Sequence, residues 1–94
     1  MTNMNLKQLR DQIDEINVQL LHLLNQRTQL VEAVGVEKDK QGLKKYDPVR
    51  EEQIIEKLKQ INEGPMTDEM MVHIFKEIFK VSVKLQEDNS QQQD

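Results

Sequence analysis

Cysteine and tryptophan are absent from the 94 residues, and only three side chains are aromatic. Without cysteine, the chain has neither a disulfide framework nor a thiol nucleophile. The two histidines, His22 and His73, lie far apart in the sequence and do not form a zinc site, so we expect neither a metal nor another cofactor. Nucleic acid is not an expected partner, because the net charge is -4 and stacking rings are few.

Glycine and proline are also scarce, and no apolar run is long enough to span a membrane. Hydrophobic residues make up 36% of the chain and charged residues 32%, a balance typical of a helix-rich soluble domain. No signal peptide is evident, so a cytoplasmic location is expected. A single domain of this length buries only about 60 to 65% of its unfolded surface, so a partner chain that adds core would stabilise it.

An apolar heptad pattern, here called the seam, occupies the first third of the chain. Its members are Leu6, Leu9, Ile13, Ile16, Leu20, Leu23, Leu30 and Val34. The pattern predicts one long helix from near Leu6 to about Lys38 or a few residues beyond, ending before Gly42. Such a helix is about 50 Å long, more than a monomer of this size covers, and we therefore expect a homodimer.

Arg27 occupies a seam position. A guanidinium keeps its proton, and leaving it desolvated without a partner costs several kcal/mol. The seam must therefore offer Arg27 an anion, an acidic side chain or water. A buried anion site is one interpretation, and a register-fixing arginine or one whose head reaches solvent is the other.

Two further helices are predicted after the loop that contains Gly42. Asp47 followed by Pro48 is a typical helix start, and the second helix extends to about Ile61. Its inward residues are Ile54, Ile55, Leu58 and Ile61. Thr67 is placed to cap the third helix, whose buried stripe is predicted to contain Met71, Ile74, Phe75, Ile78, Phe79 and Leu85. The fold class is therefore all-α, with one long N-terminal helix and two shorter ones.

The segment after Glu87 is polar and nonperiodic. We interpret residues 1–87 as the folded domain and residues 88–94 as a tail or as the start of a linker.

Polar side chains recur on the faces predicted to be inward. Arg27 and Lys38 are eleven residues apart and project to nearly the same side of the first helix, while Ser82 and Gln86 are spaced i, i+4. Each residue has an ordinary alternative, such as a solvated cation or a small core hydroxyl. Together they favour a pocket for a small dianion that also carries a hydroxyl group.

Three charged residues extend this set. Arg50 and Glu51 lie one turn from Asp47 and are expected near the core. Arg10 lies about 25 Å along the first helix from Arg27, too far for both to hold one small molecule on the same helix. An antiparallel partner chain would bring its Arg10 between Arg27 and Lys38, so the site is predicted to be shared between two chains.

The order of these residues resembles that of the all-helical chorismate mutase family, from about residue 6 to residue 87. The matching segments are Leu9-Arg10 with Ile13-Asp14, Leu23-Leu24-x-x-Arg27, Gly35 with Lys38, Asp47-Pro48-Val49-Arg50-Glu51, and Ser82 with Gln86. The segments 75–79 and 85–88 look particularly like the mutase domain that precedes a 3-deoxy-heptulosonate 7-phosphate synthase domain in some bacteria. A fused or associated synthase domain is therefore a possible partner.

The resemblance implies an intertwined homodimer with shared active sites that rearranges chorismate to prephenate in aromatic amino-acid biosynthesis. It further implies that Arg10 of the neighbouring chain and Arg27 hold the substrate carboxylates. Lys38 and Gln86 would address the ether oxygen. The catalytic residues would then be Lys38, Gln86 and Arg27.

The same resemblance implies a role for the remaining polar residues. Glu51 and the backbone near Asp47 would take the ring hydroxyl, and Arg50 and Ser82 would support the ring carboxylate. The rearrangement is intramolecular, so a pocket that selects the compact conformer and stabilises charge on the ether oxygen is sufficient. This matches a chain without a nucleophile or a metal site.

Three other interpretations stay open at this point. The scaffold also suits an isochorismate-pyruvate lyase, which the residues named above do not exclude. A regulatory domain that binds chorismate or prephenate for a fused synthase would keep the same site. A helical dimerisation domain without a ligand is the last, but it leaves the inward Arg27 and the Ser82 and Gln86 pair unexplained.

Overall fold

The computed structural model describes residues 3–92, with side chains through residue 89, and this part of the chain forms three helices. They are α1 (Leu6–Gln41), α2 (Pro48–Ile61) and α3 (Asp68–Gln92). The all-α fold class with one long and two shorter helices is confirmed. The chain divides into two compact units, Met1–Leu30 and Val31–Asp94.

The first unit contains the start of α1 and most of the seam. Asn5 and Gln8 form a reciprocal capping box. The backbone N–H of Gln8 donates to Asn5 Oδ1 at 2.8 Å, and the backbone N–H of Asn5 donates to Gln8 Oε1 at 3.0 Å. From this start the helix continues through the seam, whose apolar residues in this unit are all exposed in the single chain. The homodimer that would cover this stripe stays a prediction here.

In the second unit, α1 ends in a Schellman motif. Gly42 adopts a φ of +67°, a conformation that glycine accepts without a steric penalty. The Leu43 amide donates to the Lys38 carbonyl at 2.8 Å and the Gly42 amide donates to the Asp39 carbonyl at 3.2 Å. These two bonds satisfy carbonyls at the helix end and turn the chain back toward α1.

Helix α2 begins as the Asp47-Pro48 pair predicts. The Asp47 carboxylate accepts a hydrogen bond of 3.0 Å from the Arg50 amide, and Pro48 occupies the first helical position. The helix ends at Ile61, and Asn62 then organises the following turn through bonds to Met66, Asp68 and Gly64.

The core of the second unit lies between α2 and α3, which pack against each other. Met71 and Phe79 are buried, and most other predicted stripe residues are half-buried. Two stripe predictions were wrong, since Ile61 and Ile74 are exposed. Ile61 is the last residue of α2, where the packed surface ends, and Ile74 lies at the edge of the face centred on Met71 and Phe75.

Helix α3 is longer than the polar composition after Glu87 predicts. It continues to Gln92, and Lys84 and Asp88 form an i, i+4 ion pair at 3.6 Å across the expected boundary. The predicted tail is therefore helical through residue 92, whereas residues 93 and 94 lie outside the described part. No helix in residues 3–92 is long and apolar enough to cross a membrane.

The start of α3 offers a direct test of its cap. The Met70 amide donates to Thr67 Oγ1 at 3.1 Å, so Thr67→Ala should lower the free energy of unfolding by about 1 kcal/mol. Thr67→Ser keeps the hydroxyl and serves as the control. Chemical denaturation of both variants at one fixed protein concentration measures the difference, and equal stability of the alanine and serine variants would contradict the capping role.

Candidate functional site

Lys38 is the half-buried cation of the last turn of α1. Its Nζ donates a hydrogen bond of 2.8 Å to the carbonyl oxygen of Lys45, which the Schellman turn brings back to the helix. Lys45 itself is held by an ion pair with Asp39. An ammonium carries three N–H donors, and the bond to the loop uses one of them while fixing the direction of the side chain.

Gln86 is a buried polar side chain of α3, with 6% of its surface exposed. Its Oε1 is buried and accepts no hydrogen bond from any residue in the described part of the chain. A buried polar atom without a partner costs about 1 to 3 kcal/mol. A carboxamide in this state is ready to bind a ligand, because it offers both a donor NH2 and an acceptor oxygen.

Gly35 lies directly against Gln86. A Cβ atom placed on Gly35 would come within 3.0 Å of the Gln86 Cγ, so the two helices approach closely at this point. Gly35 precedes Lys38 by three residues on α1, which places both on one side of the helix. The structure therefore brings Gln86 against a residue one helical turn from Lys38. That the two groups address one ligand stays a prediction.

Ser82 lies one turn before Gln86 and is half-buried. Its hydroxyl donates to the Ile78 carbonyl at 2.8 Å, a bond within its own helix. To support a ligand carboxylate, the hydroxyl would have to rotate away from this carbonyl.

The start of α2 carries three predicted site residues. Asp47 is half-buried and its carboxylate is engaged as the helix cap described above. Glu51 is half-buried as well, but the side chain of Arg50 is exposed, and the prediction that Arg50 lies near the core was wrong. Arg50 and Glu51 are consecutive in the first turn of α2, so their side chains project about 100° apart around the helix axis.

A cavity of about 500 Å³ adjoins Glu51. Its walls include Tyr46 from the loop before α2, and Phe79 and Val83 from α3. Phe79 and Val83 are spaced i, i+4 and form one apolar wall of the cavity, whereas Lys38, Ser82 and Gln86 do not line it. The sequence interpretation assigned Phe79 to the core and missed Tyr46 and Val83, although the i, i+4 spacing of Phe79 and Val83 could have identified a shared wall.

Charged side chains from α3 also line this cavity. They are Lys76, Lys80, Lys84, Glu87 and Asp88. Among the described residues, no group of three histidine, aspartate or glutamate side chains is arranged to hold a metal ion.

Arg10 and Arg27 belong to the first unit. Arg10 is exposed, whereas Arg27 is half-buried although its seam neighbours Leu23 and Leu30 are exposed. Arg27 is thus more protected from solvent than the seam residues Leu23 and Leu30 on either side of it. That both arginines join the site of the second unit stays a prediction.

Known proteins resemble this chain in fold and in sequence. A chorismate mutase from Thermus thermophilus (Form II) is 42% identical with a TM-score of 0.84, over 86% of this chain and 92% of that one. A chorismate mutase from Helicobacter pylori, solved in complex with prephenate, is 29% identical with a TM-score of 0.88, over 95% and 97% of the two chains. Both similarities therefore extend over most of each chain.

A curated relative carries a second activity. The bifunctional chorismate mutase/prephenate dehydratase of Aquifex aeolicus (strain VF5) is 38% identical over 85 residues, which covers 86% of this chain and 24% of that protein. The chain spans 18 to 24% of the length of the curated relatives it matches. Each of these is joined to a dehydratase, so they do not support the predicted link to a 3-deoxy-heptulosonate 7-phosphate synthase.

The match to the family as a whole covers most of the chain. The model that describes chorismate mutase type II matches residues 9–87, which include every predicted site residue from Arg10 to Gln86. Together with the three-helix fold and the buried Gln86 beside the turn of Lys38, this match shows that the chain belongs to the chorismate mutase type II family.

Proposed function

We propose that this chain is a chorismate mutase, an isomerase that rearranges chorismate to prephenate. The observation that carries the proposal is the family match over residues 9–87, because it extends through all of the proposed site residues. The Helicobacter pylori relative was solved with prephenate, the product of this reaction, which supports the same ligand here. The reaction belongs to aromatic amino-acid biosynthesis.

The chemistry requires positioning and electrostatic stabilisation. In the rearrangement one carbon–oxygen bond breaks and one carbon–carbon bond forms within the same molecule, and negative charge grows on the ether oxygen. Lys38 and Gln86 supply a cationic donor and a neutral donor to that oxygen. Preorganised donors of this kind stabilise a transition state strongly, because they need no reorientation when the charge develops.

Other residues bind the substrate in its compact conformer. Arg27 and Arg10 of the partner subunit bind the two carboxylates, which pairs each anion with a guanidinium. Glu51 and the backbone near Asp47 accept the ring hydroxyl. Asp47 and Glu51 are both half-buried at the start of α2, which supports this pairing.

Arg50 and Ser82 support the ring carboxylate in this proposal. Arg50 is exposed and the Ser82 hydroxyl donates to Ile78 in the described structure. Both side chains would therefore change direction on binding. Arg50 would turn toward the ligand, and the Ser82 hydroxyl would donate to the ligand carboxylate in place of the Ile78 carbonyl. Rotations of this size are ordinary for side chains at a binding site.

We also propose that the active form is a homodimer. The seam residues of the first unit are exposed in the single chain. Every heptad position of this stripe except Arg27 is apolar, so a monomer would leave a long apolar surface in contact with water. A second copy in antiparallel orientation would cover this stripe with an identical one, as closed two-fold interfaces do. It would also deliver its own Arg10 to the site.

A charge at the centre of the seam tests the dimer. Leu20→Lys should convert the dimer to monomers and abolish turnover, because two lysine ammonium groups would face each other across the two-fold axis. Val18→Lys places the same charge on the exposed opposite face of α1 and is the matched control. Sedimentation velocity measures both variants. A wild-type particle of monomer size with full activity would rule out the shared site.

The activity itself is tested by the loss of chorismate absorbance with purified protein, together with a prephenate assay. Rapid turnover to prephenate is the expected result. Formation of pyruvate and salicylate from isochorismate would identify a lyase on the same scaffold. Saturable binding of chorismate or prephenate without turnover would identify a regulatory domain, and the absence of both binding and turnover would contradict the proposed function.

A further inference from the structure

The contact between Gly35 and Gln86 joins α1 to α3 next to the proposed catalytic groups. Gly35 is the buried residue of α1. The aliphatic part of Gln86 fills the space that a side chain at Gly35 would occupy. A Cβ on Gly35 would lie 3.0 Å from Gln86 Cγ, 3.3 Å from its Cβ and 3.7 Å from its Cα. The first two distances are shorter than the optimum of about 3.5 to 4.0 Å between carbon atoms.

The obstructed atom is close to the backbone of α3. Because Cγ is the second carbon of the side chain, an added methyl group cannot be accommodated by moving only the carboxamide tip. Either χ1 of Gln86 changes or the two helices separate by a few tenths of an ångström. Both responses move the carboxamide, whose Oε1 receives no hydrogen bond from the described residues that would hold it in place.

Glycine is otherwise unfavourable at this position, because it lowers helix stability relative to alanine. The φ of Gly35 does not explain it, since the positive φ values among the described glycines belong to Gly42 and Gly64. The requirement at Gly35 is therefore for space, and the group that uses the space is Gln86.

We propose that Gly35 is a positioning residue, which sets the location of the Gln86 carboxamide relative to the Lys38 ammonium. This inference rests on the proposed function, because it gives Gln86 its role at the ether oxygen. Lys38 is one turn further along α1 on the same side. The close approach of the helices at Gly35 thus determines how near the two donors come to one oxygen atom.

A double-mutant cycle tests the proposal through kcat. Gln86→Ala should lower kcat by about 100-fold, since it removes one preorganised donor. Gly35→Ala should lower kcat by about tenfold through displacement of that donor, with KM for chorismate nearly unchanged. In the Gln86→Ala background, Gly35→Ala should have little further effect on kcat, because no carboxamide remains to be displaced.

Ala33→Gly is the matched control for helix propensity. It makes the reverse exchange two residues earlier, at an exposed position of α1. Thermal unfolding should show Gly35→Ala folded and Ala33→Gly somewhat less stable, while kcat of Ala33→Gly stays close to wild type. An equal loss of kcat from Gly35→Ala in both backgrounds, or no loss in either, would overturn the positioning role.

A second measurement does not depend on turnover. The side-chain amide resonances of Gln86, assigned by their disappearance in Gln86→Ala, should shift in Gly35→Ala and stay in place in Ala33→Gly when followed by heteronuclear NMR. Unchanged resonances in Gly35→Ala would overturn the proposal even if the wild-type protein had no mutase activity. A near-normal kcat of Gln86→Ala would also overturn the positioning role of Gly35. In that case the proposed mutase function would still stand if the wild-type protein converts chorismate to prephenate.

Discussion

Replacing Lys38 by alanine is expected to lower kcat about 100- to 1,000-fold while the protein stays folded. The ammonium is the cationic donor proposed for the ether oxygen, and no uncharged group can offset the negative charge that grows there as effectively. The substitution also removes the hydrogen bond from Nζ to the Lys45 carbonyl, which contributes about 1 kcal/mol to stability. Steady-state kinetics and thermal unfolding of the same preparation separate the two effects.

Lys40→Ala is the matched control for this experiment. Lys40 lies two residues further along α1 and is exposed, so its removal changes the net charge equally without reaching the site. Its kcat should stay within about twofold of wild type, since isolated surface charges contribute little. Similar rates for Lys38→Ala and Lys40→Ala would remove Lys38 from the mechanism. A parallel loss of rate and folded structure in Lys38→Ala would assign it a structural role instead.

Mixing two inactive variants is expected to restore activity if each site is built from two chains. Arg10→Ala and Lys38→Ala carry their defects in different halves of the proposed site. A mixed dimer then contains one site with both defects and one site with neither. After refolding an equal mixture, half of the dimers are mixed, so the specific activity should reach about a quarter of wild type.

A mixture of Lys38→Ala with Gln86→Ala is the control for this complementation. Both residues belong to the second unit, and we expect them to come from the same chain of a site, so every site in a mixed dimer keeps one defect. This mixture should stay inactive. Restoration in both mixtures would indicate a different division of the site between chains, and restoration in neither would contradict the delivery of Arg10 by the partner.

Local sequence signals predicted the helices well because each end depends on a few neighbouring residues. Gly42, the Asp47-Pro48 pair and Thr67 mark ends that the structure confirms through short-range hydrogen bonds. The capping box of Asn5 and Gln8 was missed, although it is equally local. Composition was the weaker guide, since the polar segment after Glu87 remains helical through residue 92.

Side-chain burial was harder to predict, because periodicity shows which residues share a face but not what covers that face. Ile61 and Ile74 follow the apolar pattern and are nevertheless exposed. Arg50, a candidate site residue, is exposed as well. Gln86 shows the reverse case, a polar residue at an inward position that is buried as expected. Its packing on Gly35 joins positions 51 residues apart in the sequence, and no local pattern encodes such a contact.

The hydrogen bond between Lys38 and the Lys45 carbonyl has a consequence for protein engineering. Surface loops usually tolerate inserted residues and are common places for tags, labels or fused domains. The loop over residues 42–47 is different, because its backbone oxygen holds a proposed catalytic ammonium through a turn of fixed length. A single residue added there would move that oxygen by up to about 3.5 Å and alter the rate without touching any side chain of the site.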